Sequence, residues 1–209
     1  MAINLGTNVN LGNMNNNQQQ GGLLNLQKGQ MLNLTKREPG LKNVVLAAGW
    51  DVKQSGMYDF DLDIAAFLLS NRGKVERIPN DVIFFNNMKA QGISLDGDNR
   101  TGMGDDDDER IQINLEQVDS SVERIVFSVT IYEAVTRHQT FGMVQNSYVR
   151  LLNSDKNNDE ICRFNLREEG SSGTAVIFAE LIKQNGEWSF KAIGDTKVAD
   201  LNGLLTLYM

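Results

Sequence analysis

The amino-acid sequence predicts an all-β protein: an antiparallel β-sandwich with a short C-terminal helix and a mostly irregular, Asn/Gln-rich N-terminal arm. Three observations carry this reading. Ten short segments are rich in β-branched and aromatic residues and are bounded by Gly, Asn or Asp. Several of them, including IQINL, RFNL and WSFKAI, alternate apolar with polar side chains, as strands buried on one face do. Their spacing, with turn signals between, is that of a sandwich.

The elements follow in order. Residues 8–20 contain nine Asn or Gln and no charge. A tract of this kind cannot bury enough apolar surface to order itself. Residues 1–22 are therefore set apart as an extension, and residues 23–209 as the folded domain. Short alternations at 2–5 and 9–11 give the arm a way to pair with a sheet edge. Strands are expected at 31–34, 44–50, 61–69, 82–85, 111–115, 125–131, 148–152, 161–166, 175–181 and 187–193. The continuously apolar IAAFLL and VIFF are expected to be central. Asn185-Gly186 suits a type I′ turn and joins the last two strands as a hairpin. Residues 199–207 read as helix, and 139–146 as a turn of helix.

Composition narrows the function. A length of 209 residues fits one domain with an appended segment, and 41% hydrophobic residues supply a core. There is no run of about 18 apolar residues to span a bilayer. The N-terminus lacks the charged-then-apolar order of a secretory signal, so a cytoplasmic location without membrane insertion is expected. The net charge of −7 and the lack of a basic, aromatic-interleaved patch argue against nucleic acid as a partner.

Cys162 is the only cysteine and is expected to be a half-buried, small apolar residue. His138 is the only histidine, with no nucleophile at a telling spacing, and reads as a surface or turn residue. No nucleophile elbow, phosphate-binding loop or His-Glu-x-x-His pair occurs. With none of this machinery in the sequence, we expect a protein that is not an enzyme.

The acidity is concentrated in one place. DGDNRTGMGDDDDE, residues 96–109, packs seven carboxylates against Arg100 for a local charge of −6. Crowded carboxylates raise one another's pKa unless water or a cation separates them. Hard oxygens in a glycine-punctuated loop suit Ca²⁺. In DFDLDIAAF the period of two puts Asp59, Asp61 and Asp63 on one strand face. Either they ligate a metal, or the strand lies at an edge with its acids in water. Asn86 and Asn87 follow VIFF, where amide oxygens serve equally as cation ligands or as turn formers. No EF-hand fits: counted from Asp96, its fifth and sixth positions fall on Arg100 and Thr101.

Along the chain stand, in order, KGQMLNLTK, GWD, FDLDIAAFLL, VIFFNN, GDNRTGMGDDDDE, IVFSVTIYEA, RHQTFGMVQNSYVRL and EWSFKAIG. This series resembles the TerD family of tellurium-resistance and general stress proteins, from near Asn25 to the C-terminus. The resemblance implies a calcium-binding β-sandwich, with Ca²⁺ expected as a pair of ions, and a cytoplasmic stress role that includes tolerance of tellurium oxyanions. Carried over by position, the ligands it implies are Asp59, Asp61 and Asp63, Asn86 and Asn87, and Asp98 and Asn99. Asp105, Asp107, Asp108 and Glu109 complete the set. This chain departs from the pattern at Met103, at Asp106, where the family has glycine, and at Tyr132, where it has histidine. The implied mode of action is through protein partners, such as other tellurium-resistance proteins. The alternative is a self-assembling structural protein, in which the arm drives association and calcium stiffens the fold.

Overall fold

The computed structural model describes residues 23–52, 60–96, 107–166 and 171–209. Among these, the chain runs through β1 (Met31–Asn33), α1 (Leu34–Arg37), β2 (Asn43–Val52), β3 (Leu62–Ser70), β4 (Val82–Ile83), β5 (Lys89–Ala90) and β6 (Ile93–Leu95). It continues through β7 (Glu109–Asn114), β8 (Val122–Ile131), α2 (Ala134–Arg137), β9 (Val144–Asn153), β10 (Asp159–Asn165), β11 (Ala175–Gln184), β12 (Glu187–Lys197) and α3 (Leu201–Leu205). The strands form two six-stranded sheets, ordered β1-β12-β11-β8-β3-β4 and β10-β9-β2-β7-β6-β5. Each paired ladder within them is antiparallel. The expected sandwich is the observed fold.

Strand alternation builds the core between the sheets. Val44, Leu46 and Ala48 of β2 face Leu62, Ile64, Ala66 and Leu68 of β3, together with Phe127 and Val129 of β8. The opposite parity of β3 is also apolar: Phe67 and Leu69 pack with Val82, Val126, Ile177 and Leu204 in a second cluster under α3. IAAFLL is thus continuously apolar because a helix covers its outer face. It lies one place in from the sheet edge.

VIFF differs from expectation. Only Val82 and Ile83 are in a strand, and β4 is an edge that pairs with β3 only at Ala66 and Phe67. Its apolar run arises because Ile83 belongs to the inter-sheet core and Val82 to the outer cluster. Phe84 and Phe85 have already entered a turn that Asn87 closes with a backbone bond to Phe84. The hairpin of β5 and β6 was not legible, because pieces of two and three residues carry no usable period.

At the C-terminal hairpin, Gln184 pairs with Glu187 across Asn185 and Gly186, both at positive φ, 52° and 80°, as a type I′ turn requires. Residues 139–146 yield a single 3-10 turn, Phe141–Met143. Cys162 is fully buried: a bulge between Glu160 and Cys162 turns both Ile161 and Cys162 inward. Burial pushes its thiol up to about 12, which leaves it almost wholly un-ionised near neutral pH.

One side of the sandwich is strapped. Residues 24–26 lie parallel to β10, with the Leu26 N–H donating to the Arg163 carbonyl at 2.7 Å. The chain then crosses to the other sheet, where β1 pairs with β12. Expectations about residues 1–22 fall outside the described residues. Among the described residues, no helix is long and apolar enough to cross a membrane.

If α3 is the lid of the outer cluster, Leu204→Ala should lower unfolding stability by about 2–4 kcal/mol, the usual range for a buried leucine. Urea denaturation measures this, and a cost below about 0.5 kcal/mol would mean that the lid carries no packing energy.

Candidate metal centre

Three consecutive carboxylates lead into β7, and each is held from a different direction. Glu109 crosses between the sheets: its Oε2 accepts the N–H of Ile64 on β3 at 2.6 Å. Asp108 stays beside β2, where its Oδ2 accepts the Trp50 N–H at 2.8 Å and its own N–H donates to the Ala48 carbonyl at 2.9 Å. Asp107 turns to the outer face of its sheet. Its carboxylate, fully buried, accepts from Arg150 Nε and Nη2 at 2.7 and 2.8 Å, Arg110 Nη2 at 2.9 Å and Tyr148 Oη at 3.0 Å.

The register explains this outer cluster. Ala47 pairs with Arg110 on one side and Arg150 on the other, and Arg150 pairs with Arg163, so the three arginines form one row across four strands. Ala47 is the small member of that row, and Asp107 bridges the arginines on either side of it. Two residues along, on the same face, Gly49 pairs with Tyr148. A Cβ on Gly49 would lie 2.5 Å from the Tyr148 ring, so only glycine admits the tyrosine there. The Arg163 guanidinium sits 4.3 Å from the Tyr148 ring centre, and Glu160 accepts from both Arg150 and Arg163.

Neighbouring acids are tuned in opposite senses. Burial would raise the Asp107 carboxyl, but Arg150, Tyr148 and Arg110 outweigh it and hold it below the usual carboxylate range. Burial pushes Asp108 up; the Trp50 N–H opposes this, while the charges of Asp51 and Asp107 reinforce it. Tyr148 is raised to about 12 by burial and by the Asp107 charge.

The remaining candidates are spread around this point. Asp61 sits just ahead of β3, and Asp63 lies in the strand on the parity of Phe67, the outer face. Asp63 and the exposed Asn86 line an open cleft of about 570 Å³ with Thr130, Tyr132, Val135 and Asp200. The Asn87 amide nitrogen donates to the carbonyls of Pro79 and Val82 at 2.8 and 2.7 Å, the turn chemistry open to it from sequence. Asp59, Asp98, Asn99 and Asp105 lie outside the described residues. Among the described residues no three carboxylate, cysteine or histidine side chains are grouped so as to hold a metal by themselves. None of Asp61, Asp63, Asp108 and Glu109 is without a partner. The donor set is one of hard oxygens, which fits Ca²⁺ in kind. Asp107 fits least, since both its oxygens are engaged by arginine. Arg110, Tyr148 and Arg150 were missed by sequence reasoning; the only trace is that YVRLL alternates, placing Tyr148 and Arg150 on one face.

A family model for the TerD domain matches residues 23–208. The chain belongs to the TerD family. It is 43% identical over 187 residues to a tellurium resistance protein TerD of Serratia marcescens, covering 88% of this chain and 96% of that one. It is 44% identical over 188 residues to general stress protein 16U of Bacillus subtilis, again covering 88% and 96%. In fold it matches a crystal structure described as a homologue of the telluride resistance protein TerD from Streptomyces coelicolor. That match has a TM-score of 0.63 at 24% identity and covers 78% of this chain and 94% of that one. TerD relatives thus carry names of tellurium resistance and of general stress, and this chain is of that resistance and stress family.

Gly49→Ala should displace the Tyr148 ring from Asp107 and cost about 1–3 kcal/mol, as overpacking does. The Tyr148 phenol should then titrate below its present value, followed by NMR of labelled tyrosine. An unchanged Tyr148 titration in a folded variant would show that the ring does not depend on the glycine.

Proposed function

We propose that this TerD-family protein is a non-enzymatic, cytoplasmic Ca²⁺-binding stress protein that acts through protein partners. The observation that carries the reading is the bond from Glu109 to the Ile64 N–H. It ties the end of the acidic run to β3, the strand that carries Asp63, although the two are far apart in sequence. Asp59, Asp61, Asp63, Asn86, Asp98, Asn99, Asp105, Asp108 and Glu109 would supply the oxygens. Bound calcium would neutralise the acidic run and tie its exit to β3. Two features favour binding over catalysis: the Cys162 thiol is buried with a raised pKa, and His138 is exposed at the end of α2.

Calcium should raise the melting temperature of the chelator-treated protein, since a ligand specific for the native state stabilises by about 2.7 kcal/mol at a hundredfold excess over Kd. Mg²⁺ should do less, because it dehydrates reluctantly and demands tight octahedral geometry. Identical melting curves in EDTA and in millimolar Ca²⁺ would overturn the reading. Calorimetric titration then gives stoichiometry, with a pair of ions expected. Asp98→Ala should weaken binding strongly while Asp106→Gly leaves it unchanged or improved; the reverse ranking would misplace the site.

Acidification gives a separate check. Ligating carboxylates must be deprotonated, so affinity should fall as the pH is lowered from 7 to 4.5. The raised pKa of Asp108 means that protons begin to compete at a higher pH there than for an ordinary aspartate. A flat affinity over that range would rule out carboxylate ligation. Removal of residues 1–22 should leave the calcium-dependent melting shift intact, because the family match begins at residue 23.

A further inference from the structure

We propose that Arg150, acting through Asp107, is a positioning residue of the cation centre: it fixes Asp108 and Glu109 from the far face of the sheet, and neither it nor Asp107 touches the ion. The inference rests on the calcium reading above.

Saturation is the first argument. Asp107 Oδ1 accepts from Arg150 Nε and Tyr148 Oη, and Oδ2 from Arg150 Nη2 and from Arg110 Nη2 and Nε. An ionised carboxylate offers roughly four lone-pair sites. Five donors on a fully buried group leave none for a metal. Charge agrees: an ion at Asp107 would lie against two guanidinium groups.

Direction is the second argument. The arginine row lies on the outer face of its sheet, whereas Glu109 reaches inward to the opposite sheet. With Asp107 clamped outward, the next two side chains are aimed, before any ion arrives, at the Trp50 and Ile64 N–H groups. Holding ligands in place beforehand removes an ordering cost from binding. Arginine suits the task because its planar fork grips both carboxylate oxygens, and Glu160 holds the same guanidinium at 3.2 Å.

The sign of the effect makes the test sharp. Coulomb's law alone says that removing a positive charge near a cation site strengthens cation binding. A positioning role requires the opposite. Full-length protein would be titrated calorimetrically with Ca²⁺ as wild type, Arg150→Gln, Arg150→Lys, Asp107→Asn and the Asp107→Asn/Arg150→Gln double variant. Loss of a group that orients ligands typically costs 10–100-fold in metal affinity. Each Gln or Asn single variant should weaken binding by about tenfold or more without changing stoichiometry. The double variant should be no weaker than the worse single, and Arg150→Lys should recover only part of the affinity.

Amide exchange in metal-free protein supplies a second readout, and it remains usable if Arg150→Gln loses stability. The N–H groups of Trp50 and Ile64 should exchange faster in Arg150→Gln and Arg150→Lys, relative to amides of β11. Affinity in Arg150→Gln that is unchanged or tighter, with an ion lost only in Asp107→Asn, would make Asp107 a ligand and overturn the proposal. A wild type that takes up no Ca²⁺ would overturn the calcium reading instead, a result distinct from variants that bind like the wild type.

Discussion

A single carboxylate oxygen, Glu109 Oε2 on the Ile64 N–H, joins the two sheets where their strands leave a gap. At that point β3 has lost its neighbour, because β4 pairs only at Ala66 and Phe67. A buried N–H without a partner carries a penalty of about 1–3 kcal/mol, and the glutamate relieves it. The acid is itself buried, so the donor and the charge answer each other's needs. The functional end of the molecule is organised around that exchange. Asp108 does the same for Trp50 on the facing sheet, and Asp107 anchors the pair to the arginine row outside.

The sandwich makes this economy of carboxylates possible by being buried more completely than two sheets alone would allow. The strand that carries Asp63 is sealed by the inter-sheet core on one face and by the Leu204 cluster on the other. Its register is therefore fixed from both sides, since a one-residue slip would turn Asp63 and Phe67 into the wrong layer. Rigid strands on either side let the adjoining loops concentrate charge without costing the fold its alignment.

Much of the fold was legible because it rests on local periods. IQINL and WSFKAI alternate, and Asn185-Gly186 has the conformational freedom its turn needs. What stayed hidden is what long-range packing decides. VIFF looks like a central strand because each of its first two residues meets a different core, a fact that resides in α3 and not in those letters. Cys162 reads as half-buried because ICRFNL alternates; a bulge, which no local signal announces, breaks that alternation and buries it. In the candidate site the aspartate strand and the acidic run could be read as oxygen donors by chemistry alone. The sorting of Asp107 from its neighbours could not, because Arg150 stands forty-three residues away and is brought opposite by register.

The strap of residues 24–26 and β1 also limits how copies of this chain can meet. It lies along the flank of β10, bridging it at Arg163, and along the outer side of β12; among the described residues the other outermost strands are β1, β4 and β5, three, two and two residues long. Stubs of that length make poor templates for adding a foreign strand. A long ladder between copies therefore requires the strap to lift from its own seam and settle on another's. Such reciprocal exchange would join the molecules without creating any contact that the monomer does not already make.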